Sequence, residues 1–450
     1  MGHRIGTFLL IGLLLLFTAP LQQAVAQDDV VAGSGYSPYS LYGFGDLVRQ
    51  GTTYSLSMGG MGIGDRNFRY INLLNPAAVT AQEAKSFMMD FGLENRNVLY
   101  QGNAASSLSE TAEGTLTSAS NTFNMHHIVA TLPIGTKGAF KMGVMPFSTV
   151  AYDFRADETS DALIAQVGDI RYQRTGRGGV YEAFLGAGVT LWDRLSLGVD
   201  ANYYFGKIDR HSSASFTTNS SYRTISSGWA YNISCFGAKA GLQYTQPLKG
   251  ASYFVVGATY GLDTKLRGHE TRYAFGETTS VTDTIVFNKT SLENYRIPAE
   301  LGLGLTFHQG DRWLVGFDYV RQDWTGLTFG GYPGVDFEAG VAQSFRGGFE
   351  VTPSRYDVRK GFGHFLRRLT WRGGAYHEVS YLTLGGNPVA ATGITMGVGI
   401  PVFRYYNSVN VGFDLGQRGT VSSSQIRERY FLVTVSFNLH DIWFIPTLYN

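Results

Sequence analysis

The chain has 450 residues and a formal net charge of +1, and this balance excludes the strong positive charge that nucleic-acid binding requires. A single cysteine, Cys235, excludes an intrachain disulfide and a thiolate metal cluster. Only 16% of the residues are charged, whereas 14% are aromatic and 57 are glycine, a composition typical of a membrane-spanning β-barrel.

The first 26 residues have the form of a signal peptide. Arg4 precedes an apolar run at residues 8–17, and Ala24-Val25-Ala26 supplies the small residues that precede cleavage. No later stretch is apolar enough to cross a membrane as a helix. The sequence therefore predicts export of the chain, cleavage after Ala26 and no spanning helix in the mature protein.

Residues 27–80 do not alternate between apolar and polar side chains, and they are rich in Gly, Ser, Tyr and Asn. The stretch is too aromatic for a linker and too short for a large plug domain. We predict a hatch folded into a barrel lumen, whose interior needs filling. Glycine lets backbones approach closely, and Pro76 restricts Asn75, so this pair is the predicted pivot. The predicted gate residues are Gly59, Gly60, Gly62, Gly64, Asn75, Pro76 and Ala77.

From residue 81 to residue 440 the chain repeats long alternating segments. Around residue 185, Tyr181 and Leu185 fall on one face and Glu182 on the other, before Trp192-Asp193-Arg194 turns the chain. Segments of about ten residues with one apolar face are typical of a transmembrane barrel. The sequence thus predicts an all-β fold, an antiparallel transmembrane β-barrel of about 14 strands, followed by a periplasmic tail at residues 441–450.

The predicted connections alternate between short and long. Short periplasmic turns are expected near residues 133–138, 192–194, 247–250, 308–312 and 401–407. Long outer loops are expected near residues 100–121, 154–177, 208–226, 264–294, 323–342 and 417–427. Residues 352–368, on the periplasmic side, are long and basic, which fits a solvated turn or a site for a partner or for anionic head groups.

Charged residues on the predicted strands share the face opposite the apolar one. A charge facing lipid at the bilayer midplane costs roughly 2–4 kcal/mol, so these side chains are expected to face the lumen. They form either a polar pathway or pairs that tie the hatch to the wall. The predicted lumen residues are Glu182, Asp200, Glu300, Asp318, Arg346, Arg372 and Asp414. Interfacial aromatic belts are predicted at Trp192, Trp313, Trp324, Tyr405, Tyr406 and Trp443.

The adjacent His126 and His127 are expected to point to opposite faces of a strand, so they cannot chelate one ion together. No serine or carboxylate joins them at a spacing that would indicate a hydrolase. The Gly-rich residues 60–64 lack the flanking strand and helix of a phosphate-binding loop. We therefore predict no enzymatic activity, no cofactor and no metal site.

Several short motifs occur in a recognisable order: the Gly-rich run at residues 58–65, Asn75-Pro76-Ala77, Leu197-Gly198-Val199-Asp200 and Ile297-Pro298-Ala299-Glu300. With them the chain resembles the outer-membrane long-chain fatty-acid and hydrocarbon transporter family, FadL and TodX, in a Bacteroidetes-type form. The resemblance implies a 14-stranded barrel in the outer membrane of a Gram-negative bacterium. It also implies passive uptake of hydrophobic molecules past an N-terminal hatch and out laterally through a kinked strand.

Two functions are left open by the sequence. The first is FadL-like passive uptake of a hydrophobic or amphipathic small molecule, gated by the hatch, with outer-membrane lipid as surroundings. The second is a non-transporting structural or accessory subunit of an envelope complex for protein secretion or outer-membrane protein assembly. Outer loops dominated by Ser, Thr and Asn, together with the basic residues 352–368, motivate the second.

Overall fold

A computed structural model describes residues 36–103, 115–216, 222–277, 282–292, 295–327, 337–402, 407–422 and 425–442. The predicted signal peptide, residues 27–35 of the predicted hatch, Tyr405, Tyr406, Trp443 and most of the predicted tail lie outside these residues. Within the described ranges, no helix is both long enough and apolar enough to cross a membrane.

Fourteen long strands of the described chain close into one antiparallel barrel, as predicted. Each strand pairs with the next, and the last pairs with the first between residues 86–101 and 427–442. In chain order the strands are β1 (Ser86–Asn103), β2 (Thr115–Ile134), β3 (Gly138–Asp157), β4 (Ile170–Leu191), β5 (Leu195–Phe216), β6 (Thr224–Pro247), β7 (Ser252–Gly261), β8 (Glu300–Gln309), β9 (Trp313–Asp323), β10 (Val341–Val351), β11 (Thr370–Leu384), β12 (Asn387–Pro401), β13 (Ser408–Arg418) and β14 (Arg427–Ile442).

The alternation of side chains separates an outer face from a lumen face. Leu185 and Val199 on the outer face are 57% and 56% exposed, whereas Glu182 and Asp200 are buried on the lumen face. An apolar outer surface matches the hydrocarbon of a bilayer, and the polar side chains are left inside. The predicted hairpin of β4 and β5 is present, and its turn uses positive φ angles at Trp192 and Asp193.

The barrel has two different ends. The turn end holds the start of β1, the end of β14 and mostly short connections. The connection between β10 and β11, residues 352–369, is the long exception, and it contains a helix at Phe362–Arg368 where a solvated turn was one of the expectations. The opposite loop end carries the longer connections, except for the two-residue turn between β11 and β12.

Several predicted loops at the loop end are shorter than expected because strands extend into them. β4, β5 and β6 contain 22, 22 and 24 residues, roughly twice the 9–11 residues that a strand needs to cross a bilayer. Residues 268–291 form a further hairpin, strands Gly268–Glu277 and Thr282–Ser291, which pairs with the first half of β6. Where a strand rises above the lipid it no longer needs an apolar face, so alternation disappears from the sequence.

Residues 36–81, the described part of the hatch, lie inside the barrel. They contain a 3₁₀ helix at Pro38–Leu41, a two-residue strand at Asp46–Leu47, one helical turn at Thr53–Leu56 and a second 3₁₀ helix at Pro76–Ala81. The segment before residue 48 packs in the half of the lumen near the loop end, and residues 57–80 pack near the turn end. The hatch therefore runs down the lumen before β1 begins.

Candidate functional site

The hatch forms a floor across the lumen, which we define as residues 57–80. Each of the ten consecutive strands β4–β13 presents a glycine to it, three to six residues from the turn end. A Cβ on any of these glycines would lie 2.1–2.9 Å from a hatch atom, closer than real Cβ contacts allow. The glycines are Gly188, Gly198, Gly241, Gly257, Gly304, Gly316, Gly348, Gly374, Gly397 and Gly412. The hatch thus rests directly on the wall backbone.

The floor is completed on the other side by apolar side chains. Ile71 of the hatch packs in one buried cluster with Met88 of β1, Val129 of β2 and Met145 of β3. Burial of such side chains contributes roughly 1.5–3 kcal/mol each. In the part of the chain that the structure describes, the floor therefore contacts the wall around the circumference of the barrel.

Hydrogen bonds fix the floor at the residues predicted as the gate. The backbone N–H groups of Gly62 and Ile63 donate to Asp318 Oδ2 on β9, at 2.6 and 2.8 Å. Asn75 is fully buried: its Oδ1 accepts from the Ala77 N–H, and its Nδ2 donates to the Ile63 and Leu242 carbonyls. Asn75 thus caps the 3₁₀ helix and joins two parts of the hatch to β6.

Glycine conformation matters at the first bend of the floor. Gly59 and Gly60 have φ of +73° and +79°, where a side chain would be strained. A Cβ at Gly59 would also lie 2.6 Å from the Ala375 carbonyl oxygen of β11. The predicted gate glycines therefore allow the hatch backbone to lie close to the wall backbone. Whether these residues open the floor stays a prediction.

Above the floor, ion pairs between side chains also hold the hatch to the wall. Arg49 lies 3.1 Å from Glu378 Oε1 and 2.8 Å from Asp414 Oδ2, and its guanidinium stacks 3.6 Å above the Tyr376 ring. Asp46 of the hatch pairs with Arg418 of β13. All these side chains are mostly buried, so removing one partner leaves an uncompensated charge.

Between the floor and the segment at residues 46–50 lies a cavity of about 410 Å³, which we call the chamber. Its lining includes five acidic and five basic side chains, from the hatch and from the wall. They are Asp46, Glu94, Glu300, Glu378, Asp414, Arg49, Arg96, Lys239, Arg346 and Arg418. The size is that of a small-molecule pocket. The charged side chains are balanced in sign, and apolar side chains such as Leu47, Phe147 and Leu432 line the chamber between them.

The seven predicted lumen residues all face the interior, and most have partners there. Asp200 pairs with Lys141 at 2.9 Å and Glu300 with Lys239 at 2.9 Å. Arg346 pairs with Glu378 at 3.1 Å and also donates to the Gly60 carbonyl.

Arg372 is enclosed between the wall and the hatch. It donates to Glu350 at 3.0 Å and to Asn410 at 2.9 Å, and its guanidinium stacks on Tyr54 and Tyr70 of the hatch at 4.6 and 4.5 Å. Stacking of this kind stabilises a buried guanidinium by roughly 0.5–2 kcal/mol. The pairing therefore ties hatch to wall, one of the two roles that the sequence left open.

The wall is interrupted between β2 and β3. Their ladder runs from Ile134–Gly138 only to Ile128–Val144, although β2 continues to pair with β1 and β3 with β4. Beyond this point the free edge of β3 is taken by the hatch: Asp46 and Leu47 pair with Thr149 and Ser148. We call the interruption, between residues 115–127 of β2 and 145–157 of β3, the seam.

A β-bulge marks the start of the seam and overturns the expectation for His126 and His127. The register with β1 shifts so that Gly92 faces His127 and Leu93 faces Met125, which leaves His126 as the inserted residue. Both rings therefore turn inward and are buried, with their Nδ1 atoms 3.0 Å apart. His127 Nε2 lies 2.7 Å from Asp90 Oδ1. One inserted residue cancels the alternation on which the expectation rested and bends the strand.

The paired histidines and Asp90 form a buried hydrogen-bonded chain. In the described part of the protein, no group of three or more His, Cys, Asp or Glu side chains is arranged to hold a metal ion. The chain of rings lies at the bulge, beside the chamber, which His126 also lines. The two rings fill the bend in β2 and hydrogen-bond to each other and to Asp90 Oδ1.

Trp324 is not part of an interfacial belt, contrary to the prediction. It is fully buried and packs against Phe44 of the hatch and Tyr381 of β11, with ring centroids 5.8 and 4.7 Å apart. The residue follows β9 and folds back into the lumen instead of remaining at the membrane surface. Trp192 at the turn end, 80% exposed, is placed as a belt residue would be.

The basic connection between β10 and β11 is folded and touches the underside of the floor. Hatch Arg69 donates to Tyr356 in this connection at 3.0 Å and pairs with Asp311 of the β8–β9 turn at 2.8 Å. Hydrogen bonds from Arg359 and His364 hold the pKa of Asp357 well below its usual range. Val358 and Phe362 remain 74% and 76% exposed. The connection thus has an ordered base and an exposed, basic and apolar surface.

Several residues of this site escaped sequence reasoning. Asp46 and Arg49 lie in a stretch without alternation, so nothing assigned them a face. Arg418 falls where the outer loop at residues 417–427 was expected, and Glu428 directly follows it. The pair Glu94 and Arg96 on β1 had a usable signal, since they alternate with Leu93 and Asn95 as lumen residues do.

No curated protein sequence matches the chain. Solved structures that share its fold include the CymD monoaromatic hydrocarbon channel, with 15% identity, coverage of 86% of this chain and 97% of that chain, and a TM-score of 0.52. The Ralstonia pickettii toluene transporter TbuX has 14% identity, coverage of 86% of this chain and 97% of that chain, and a TM-score of 0.54. A Pseudomonas aeruginosa FadL homologue has 11% identity, coverage of 89% of this chain and 100% of that chain, and a TM-score of 0.53. At such identities the likeness concerns the fold alone, and for the fold the resemblance to FadL and TodX is confirmed. A family model named BamG matches residues 9–450. The chain therefore belongs to the BamG family.

Proposed function

We propose that this protein is a non-transporting accessory barrel of an outer-membrane protein assembly complex. The observation that carries the proposal is the floor, which rests on the backbone of ten consecutive wall strands. A floor that could swing aside would need space next to the wall, and each glycine contact removes that space. The proposal includes an outer-membrane location in a Gram-negative bacterium of the Bacteroidetes type, with the turn end in the periplasm.

The chamber supports the same proposal. A hydrophobic solute crossing this lumen would meet ten charged side chains, most of them already paired. Apolar side chains also line the chamber, but an apolar solute would displace water from the charged groups beside them, at a cost in free energy. Opening a path would also separate Arg49 from its two carboxylates, at a high cost in free energy. The lumen is thus better suited to holding the hatch than to passing a hydrocarbon.

Family membership also favours assembly over secretion as the envelope process. Bam is the field's abbreviation for the β-barrel assembly machinery, and the BamG model matches nearly the whole chain. An accessory barrel in such a complex needs an outer surface that contacts partners and a lumen that does not leak. The floor and the exposed connection at residues 352–369 fit these two requirements.

The proposal is tested by isolating the protein and by measuring uptake on the same preparation. Purification from native membranes in mild detergent is expected to yield a stoichiometric complex that contains an outer-membrane assembly protein. The barrel alone, reconstituted in liposomes, is expected to take up labelled toluene and oleate no faster than protein-free liposomes. Saturable uptake by the intact barrel, with no stoichiometric partner, would overturn the proposal.

The second candidate is hatch-gated passive transport of an amphipathic small molecule. It is favoured by the fold shared with hydrocarbon channels and by the seam, which offers a lateral way out of the lumen. Locking the hatch distinguishes the two functions. A disulfide engineered between the floor and β10 would abolish uptake by a gated transporter and would leave an accessory subunit fully functional in assembly.

A further inference from the structure

The chamber is bounded by the seam on one side. Asn124 and His126 of β2 and Phe147 and Thr149 of β3 line the same cavity, at a level where the two strands no longer pair with each other. The outer face of β2 is apolar there, with Phe123 54% exposed, and Met125, which also lines the cavity, is exposed as well. A cavity with charged side chains in its lining therefore lies behind an unpaired joint in a lipid-facing wall.

Two charged side chains of β1 line the chamber beside the seam: Arg96 makes two long ion pairs, and Glu94 makes none with the described residues. Arg96 makes no hydrogen bond within the described residues, and its nearest carboxylates, Asp46 and Glu428, are 3.6 and 4.0 Å away. Its Nε is buried without a partner. Glu94 has neither an ion pair nor a hydrogen bond in the described part of the chain. Other charges of the chamber, such as Lys239 with Glu300, are paired at 2.9 Å.

Arg96 and Glu94 together fit a ligand that carries both signs of charge. They stand two residues apart on one face of β1, which separates their Cα atoms by roughly 6.6 Å. A guanidinium offers a planar set of donors that matches a phosphate, and a carboxylate accepts from an ammonium. A phosphate and a primary ammonium joined by a two-carbon link span this separation with the side chains extended.

We propose that the chamber, entered through the seam, binds the ethanolamine-phosphate head group of a membrane lipid. The phosphate is held by Arg96 and the ammonium by Glu94. The acyl chains stay outside, against Phe123 and Met125 on the lipid-facing side of β2. The inference goes beyond the assembly role, and it does not require the floor to move.

The binding site is tested by native mass spectrometry of the full-length mature protein, delipidated and then titrated with lipids of defined head group. The wild type is expected to retain one phosphatidylethanolamine and to prefer it to phosphatidylglycerol, which lacks the ammonium. E94Q is expected to lose this preference while still binding both lipids. R96Q is expected to bind both about tenfold more weakly, since a hydrogen bond to a charged group is lost.

Controls separate a specific site from a general effect on the barrel. D263N removes an exposed carboxylate from an ion pair outside the chamber, and is expected to bind like the wild type. R96K keeps the positive charge but lacks the planar guanidinium. It replaces R96Q in the test if R96Q does not migrate as a folded barrel in gel electrophoresis. Binding unchanged in E94Q and R96Q, or tighter binding of oleate than of phosphatidylethanolamine, would overturn the proposal.

Soluble glycerophosphoethanolamine distinguishes a lipid from a free metabolite that has the same chemistry. The lipid is expected to bind much more tightly, because its acyl chains bury against the wall at the seam. Equal binding of the soluble compound would overturn the lipid assignment. Both results are independent of whether the protein joins an assembly complex, so failure here leaves the proposed function unaffected.

Discussion

The floor and the chamber are held by different kinds of interaction, although both belong to the hatch. The floor touches wall backbone through glycines and depends on shape. The chamber depends on charged side chains from distant parts of the chain, such as Arg49 with Asp414 and Asp46 with Arg418. Shape packing tolerates almost no added volume, whereas ion pairs tolerate volume but not the loss of one partner. Substitutions that add volume should therefore disturb the floor, and substitutions that remove one partner of an ion pair should disturb the chamber.

The largest effect is expected from breaking the ion pairs above the floor. R49M leaves Asp414 without its cation, while Glu378 keeps only Arg346, and should lower the free energy of unfolding by about 3 kcal/mol. Urea unfolding of the purified barrel in detergent measures the change. The double variant R49M/D414N removes the stranded charge, leaves the pair of Arg346 and Glu378 intact, and should recover most of the loss. A single R49M variant as stable as the wild type would contradict the ion-pair account of the chamber.

A smaller loss is expected where volume is added to the floor. A Cβ at Gly348 would lie 2.4 Å from the Met58 carbonyl oxygen, whereas at Gly347 the nearest neighbours are 3.8 Å away. G348A should therefore lower the free energy of unfolding by about 1–3 kcal/mol, and the adjacent control G347A should change it little. Equal effects of both substitutions in the same unfolding experiment would show that the floor does not rest on this glycine.

The smallest effect concerns the underside of the floor, which carries its own ion pair outside the strands. Burial raises the pKa of Asp311, but the hydrogen bond and charge of Arg69 outweigh it, and the pKa lies below its ordinary value. Because this pKa is lower in the folded state, the pair stabilises the folded protein at pH values above the unfolded-state pKa of Asp, about 3.9. The stabilisation is lost as the pH falls from there through the folded-state pKa.

The pH effect is measured by hydrogen exchange of residues 66–69. Protection should be constant from neutral pH to about pH 5 and should fall below about pH 4, where the unfolded-state carboxylate begins to bind protons. D311N should show weaker protection at neutral pH and no such step. A step of the same size in D311N would assign the pH dependence to another group.

The sequence predicted the barrel because each strand obeys the same local constraint. Lipid on one face and a polar lumen on the other impose a period of two, so Leu185, Glu182 and Asp200 could be assigned to faces from their positions alone. Above the membrane a strand needs no apolar face, so the sequence predicted loops where the polar outer halves of β4–β6 lie. It also fails at one inserted residue, as the bulge at His126 shows.

By itself, then, the sequence determined the all-β class, the number of strands and the residues that face the lumen, since these follow from local periodicity. Only the tertiary structure decided which charges pair, where the hatch rests and where the wall parts. Arg49 and Asp414 are 365 residues apart, and Gly198 meets Pro76 across the lumen. Such contacts depend on how the chain closes on itself, and no period along the chain records them.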